Sequence, residues 1–147
     1  MRTTGTTYQP TRNSYDAFLL EAEQLGVGVK ERNLGSGLCG FYLDQVKTIV
    51  IDGNLFDFQK RCVLCHELCH ARYRDTGISL MVSKEETRAR RETALRLIDP
   101  ESYKTAELAY DGDLFQMASE LNVTFQVLKD FQKLLVMDKG IIYRTLR

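Results

Sequence analysis

No stretch of this 147-residue chain is apolar for long enough to span a bilayer, and its opening segment, MRTTGTTYQPTRNSYD, lacks the apolar core of a signal peptide. A cytoplasmic protein is therefore expected. An excess of charge of one sign is missing too: 20 basic residues face 20 acidic ones, which leaves no broad field for neutralising phosphates, so nucleic acid is not the expected partner. Proline is scarce at 2, and 44% hydrophobic against 27% charged residues is the balance of a folded domain rather than a disordered chain. The length suits one domain over residues 1–147. The 4 cysteines come without an export signal, and three of them crowd one short segment, so free thiols are expected rather than disulfides. Histidine is limited to His66 and His70.

What the chain does have is periodicity. Residues 1–12, rich in Thr, read as a loose arm; from Ser14, a residue that caps helices, Phe18, Leu19, Ala22 and Leu25 recur at helical spacing. GVGVKERNLGSG reads as a short strand and a Gly-rich turn. LCGFYLD and VKTIVIDGNL are β-prone runs that predict a hairpin around Asp44 and Gln45. A helix follows with Phe58, Cys62, Leu64, Cys65 and Leu68 among polar residues, uninterrupted by Pro or Gly until Gly77. DTGIS breaks it, and SKEETRARRETALRLIDP predicts a second helix, opened by Ser83 and Glu86 as a capping box and closed before Pro100. Three more helical segments come next, and a short KGIIYRTLR tail ends the chain. Within 112–136 the spacing of Ala118, Leu121, Val123, Val127 and Leu128, with Asn122 at the turn and Thr124 as a cap, is that of a helix-turn-helix. The expected class is α+β, mainly helical, with a small antiparallel sheet or hairpin beside the His-bearing helix.

Both histidines fall in RCVLCHELCHARYRD, residues 61–75. Residues four apart on a helix lie about 40° from each other, so His66 and His70 can offer two imidazole nitrogens to one metal ion. That is the HExxH spacing, and Glu67 is placed to hold the attacking water and take its proton. A catalytic zinc takes three protein ligands, so a further donor is required, and no other His exists. Glu86 is the expected third ligand, because a second helix after a break can bring a carboxylate beside the histidines. Glu92, two turns deeper, is the reserve; Asp75 and Glu85 are the other candidates, and Asp75 needs a sharp turn to reach the metal. Tyr73, seven residues past His66, is either a packing residue or a hydrogen-bond donor to the transition-state oxyanion.

The same letters support rival chemistries. Cys62-Val63-Leu64-Cys65-His66 matches the CxxCH haem-attachment pattern, which needs an oxidising compartment and a second axial ligand that nothing in the chain supplies in an evident place. A zinc finger of Cys62, Cys65, His66 and His70 would put four ligands within nine residues of one helix, where they cannot surround an ion tetrahedrally. The cysteines read better as small core residues.

The order TIVIDGNLFDFQKRCVLCHELCH, a break, ETRARRETALRLIDPESY, then LFQMASELNVTFQVLKDF resembles the ImmA/IrrE family of metallopeptidases, over about residues 37–135. The resemblance implies a small zincin-like domain, Zn2+ held by His66, His70 and Glu86, and Glu67 as the catalyst. Two departures stand out: the family's HELGH becomes HELCH at Cys69, and Thr93 stands where its second helix usually has Ala. A one-residue slip there would promote Glu85. The family looks like a set of regulatory proteases that cut helix-turn-helix repressors of prophages, mobile elements or stress regulons. A repressor is thus the implied partner, met as an added strand on an exposed edge of residues 47–52. The competing classes are a DNA-binding regulator whose zinc is structural or sensory, with few cations on its reading helix, and a protein that keeps the fold only to bind a partner.

Overall fold

In the computed structural model, residues 9–35, 37–77 and 82–137 are described. Local signals start most of the elements. Ser14 accepts a hydrogen bond from Ala17 N at 3.1 Å and opens α1 (Tyr15–Gln24), which buries Phe18 and Ala22. Strands β1 (Gly28–Arg32), β2 (Gly40–Leu43) and β3 (Thr48–Asp52) follow. The expected hairpin is β2–β3, closed by a 3-10 turn at Asp44–Val46 with Lys47 in the left-handed region at φ 49°.

The sheet order is β1-β3-β2, and β1 runs parallel to β3, so the small sheet is mixed. The reason is the path of the chain. It leaves β1, passes to the far side to form β2, and turns back into the gap, which makes β3 central. In β3, Ile49 and Ile51 point inward and are fully buried, while Thr48, Val50 and Asp52 are only partly so, the alternation of a half-buried strand. One sequence expectation is corrected here: residues 47–52 have no free edge for an added strand, because β3 is hydrogen-bonded on both sides. The edge next to the histidines belongs to β2.

Helix α2 (Asp57–Tyr73) starts where Phe56 N donates to Gln59 Oε1 at 2.9 Å, and stops at Arg74, whose φ of 55° ends the helical path. It packs on β2, β3 and α1 and against α3 (Val82–Leu97). Ser83 does not cap α3 as expected: the helix already includes Val82, and the Ser83 carbonyl accepts from Thr87 Oγ1 at 2.8 Å as part of the first turns. The break before it lies partly in residues 78–81, outside the described residues, as do the first eight residues of the arm and the tail from 138.

Asp99 caps α4 (Pro100–Tyr110) by accepting from Ser102 N, with Pro100 at the first position, where its missing N–H costs nothing. Asp113 caps α5 (Leu114–Leu121), and Asn122 at φ 56° and Thr124, accepting from Val127 N at 3.3 Å, make the turn into α6 (Phe125–Met137). Met117, Val123, Leu128 and Phe131 of this pair are buried, and α6 packs on α3. Each such apolar side chain contributes about 1.5–3 kcal/mol on burial. Polar clamps add register: Glu21 of α1 accepts from Arg72 of α2 at 3.1 Å and from both Nη atoms of Arg96 of α3. No described helix is long and apolar enough to cross a membrane.

Candidate metal centre

Helix α2 turns Leu64, Cys65 and Leu68 into the core, which leaves His66 and His70 on its border, one turn apart and 14–21% exposed at the side chain. Their rings stand edge to face with centroids 5.1 Å apart. Helix α3 brings Glu86 against both. His66 Nε2 lies 2.9 Å from Glu86 Oε1, and His70 Nε2 lies 3.2 Å from Glu86 Oε2, so one carboxylate spans two imidazoles. Glu67 is buried beside them, and one of its oxygens lies with a nitrogen of each histidine inside a 4.8 Å cluster.

The electrostatics follow from these contacts. Burial raises the Glu67 carboxyl above the usual range, as a group that takes up a proton requires. The hydrogen bonds from His66 and then His70 hold Glu86 well below that range. Burial opposes a charged His70, but its bonds to Glu86 and Asp75 outweigh this and lift it to about 9.

The sequence candidates therefore divide. His66, Glu67, His70 and Glu86 come together. Asp75 reaches the other side of His70, with Oδ2 2.8 Å from Nδ1 rather than near Nε2. Glu92 accepts from the Tyr73 hydroxyl at 2.9 Å, which occupies that hydroxyl on α3, and Glu85 lines a hollow beside Thr76 and Gly77. Two residues escaped sequence reasoning. Arg88 bonds both Asp75 oxygens, and nothing in the basic run RARR singles it out. Gly40 packs against α2, and its only signal was a glycine inside a strand pattern, which marks close backbone approach.

Two hollows flank the cluster and share Gly40, Glu67 and Glu86. One, of about 360 Å³, extends past His66 to Cys62, Val63, Val127 and Asp130. The other, of about 240 Å³, extends past His70 to Phe41, Tyr42 and Thr76. A third, of about 260 Å³ and lined by Phe58, Phe115 and Phe125, sits at the α5–α6 turn and holds no titratable side chain.

Residues 22–131 match the family model of the peptidase M78, IrrE N-terminal-like domain. The chain belongs to this family. No curated protein and no solved structure matches it. The IrrE N-terminal-like domain is thus a metallopeptidase-family domain whose HExxH residues are intact. The match takes in α2, α3 and the sheet, so every residue of the cluster falls inside it. The residues present also fit a zinc ion: two neutral-capable imidazoles with Nε2 atoms turned to one carboxylate form the mixed N and O donor set that zinc favours, and His70 Nδ1 has an acceptor of its own.

Proposed function

We propose that this chain is a zinc-dependent endopeptidase that cleaves a partner protein, a helix-turn-helix repressor of a prophage, mobile element or stress regulon. One observation carries the chemistry: two histidine Nε2 atoms, one helical turn apart, meet the two oxygens of a single carboxylate from the neighbouring helix, with a buried Glu beside them. His66, His70 and Glu86 would hold the ion; Glu86 is preferred to Glu67 as the third ligand because it approaches both Nε2 atoms, while burial keeps Glu67 inclined to carry a proton. A zinc ion there supplies Lewis acidity, polarising the scissile carbonyl and acidifying water. Glu67 accepts the proton of the attacking water and passes it to the leaving amine.

The substrate would lie extended along the edge of β2 that is unpaired among the described residues, its side chains entering the hollows on either side of Glu67. The repressor as target comes from the family resemblance alone. Four free cysteines suit a reducing cytoplasm. The DNA-binding reading gains nothing from the geometry, since α5 and α6 bury much of their apolar surface in the core.

Metal content of the purified chain, beside His66→Ala and Glu86→Ala, tests the site. About one zinc per chain, lost in both variants, is expected. A wild type that cannot be loaded ends the peptidase reading. Co-expression with the helix-turn-helix protein encoded nearest to it tests the target, with an intact repressor as the refuting result.

A further inference from the structure

His70 is gripped from behind as well as from the front. Its Nδ1 lies 2.8 Å from Asp75 Oδ2, and Asp75, only 8% exposed, takes Arg88 Nη2 at 2.5 and 2.7 Å. Arg88 in turn stands over the Tyr73 ring, 3.8 Å from its centroid, and Tyr73 donates to Glu92 Oε1 at 2.9 Å. A buried carboxylate is costly unless paired, and the guanidinium supplies that pairing. Helix α3 therefore reaches His70 by two arms: Glu86 meets Nε2 directly, and Arg88, two residues on, meets Nδ1 through Asp75.

The consequence is a choice of tautomer. Without an ion both ring nitrogens of His70 can donate, Nδ1 to Asp75 and Nε2 to Glu86. The imidazole that binds a metal is neutral and keeps one proton, and because an ionised carboxylate can only accept, Asp75 would hold that proton on Nδ1 and leave the lone pair on Nε2. That is the nitrogen turned to Glu86. Asp75 cannot also serve as a ligand in this arrangement, because Oδ2 is committed to Nδ1 and Arg88 spans both oxygens.

We infer that Asp75, held by Arg88 on the Tyr73 ring, is a positioning residue that fixes His70 as the Nδ1–H tautomer and thereby sets metal affinity; the inference rests on the zinc site proposed above. Neither Arg88 nor Tyr73 touches the ion. Their role is to keep one carboxylate paired, buried and aimed.

The test is zinc affinity of the purified full chain, by competition with a fluorescent chelator, with folding followed by circular dichroism. Asp75→Asn should still bind about one zinc but 10–100-fold more weakly. Arg88→Gln should weaken binding in the same direction, and the double variant should be no weaker than Asp75→Asn, since both act through one bond. A merely structural role would lower the melting temperature without this non-additivity. In the zinc-loaded protein, long-range 15N–1H spectra should place the His70 proton on Nδ1, with its exchange faster in Asp75→Asn. If Asp75→Asn does not fold, Arg88→Gln carries the test alone. A folded variant within about threefold of wild type overturns the positioning role, and complete loss of zinc in Asp75→Asn makes Asp75 a ligand instead. A wild type that takes no zinc removes the site itself, and the inference with it.

Discussion

At Gly40, β2 comes close against the histidine-bearing helix, and adding one methyl group there tests the whole arrangement. A Cβ built on Gly40 would sit 2.7 Å from Val63 Cγ1 of α2 and 2.8 Å from the carbonyl oxygen of Val50 in β3. Carbon atoms in comfortable contact stand about 3.5–4.0 Å apart, so Gly40→Ala demands about 1 Å of movement. Val63 can yield by leaving its rotamer, at about 0.5–1.5 kcal/mol. The Val50 carbonyl cannot, because it belongs to the central strand. Overpacking of this kind costs about 1–3 kcal/mol, which for a chain of this length lowers the melting temperature by roughly 2–12 °C. Urea unfolding followed by circular dichroism measures it. Adding Val63→Ala should restore only part of the loss, since the carbonyl clash stays. Zinc content should be unchanged, because no proposed ligand is on β2, whereas cleavage should fall even where the variant is fully folded, because Gly40 walls both hollows. A Gly40→Ala protein as stable and as active as wild type would refute the close packing of β2 on α2.

Glu67→Gln should keep its zinc and lose cleavage by about 10²–10⁴-fold, as expected when the proton carrier is removed but the ligands stay; wild-type turnover in this variant would assign the proton transfer elsewhere. A pH effect is expected away from the site. The Lys60 ammonium, 2.7 Å from Glu31, holds the Glu31 carboxyl below its usual value, so what this pair contributes is present above the unfolded carboxylate pKa and is lost as pH falls through the folded one. Wild type should therefore melt above Glu31→Gln at neutral pH and converge with it in acid; a gap that persists at low pH would contradict this.

Much of the site was legible because it is local. His66, Glu67 and His70 share one helix, and their spacing alone puts the imidazoles together. Glu86 was legible as a consequence of a break followed by a second helix. The hairpin and the caps at Ser14 and Thr124 were local signals of the same kind. What could not be read depends on long-range choices. Strand β1 is polar along most of its length, with only Val29 partly covered, so no alternation announced its pairing or showed that β3 would be central. Ser83 and Glu86 matched a capping pattern that the helix did not use, since its first turn lies earlier. Asp75 drew attention as a possible ligand, but its actual contact is with the far nitrogen of the ring. Only the placement of Arg88 accounts for that, and the basic run on this charged helix offers three arginines, Arg88, Arg90 and Arg91, with equal claim.

The two departures from the family pattern turn out to be one feature. Cys69 replaces the glycine of HELGH on α2, and Thr93 replaces an alanine on α3; their side chains meet, with Cys69 Sγ 3.8 Å from Thr93 Oγ1, both buried. Arg72 Nη2 also donates to that sulfur at 3.3 Å. Helix separation varies over about 8–10 Å with the side chains at the contact, so two enlargements at facing positions act on the spacing of α2 and α3 together. Glu86 lies seven residues before Thr93, on nearly the same face of α3, and must bridge whatever gap results. It does so at 2.9 and 3.2 Å from the two histidines. An Asp there would be shorter by one carbon–carbon bond, about 1.5 Å, and would lose hydrogen-bond reach to both rings at this spacing. The reach that Glu86 needs to meet both histidines is therefore set as much by the interface behind it as by the rings in front.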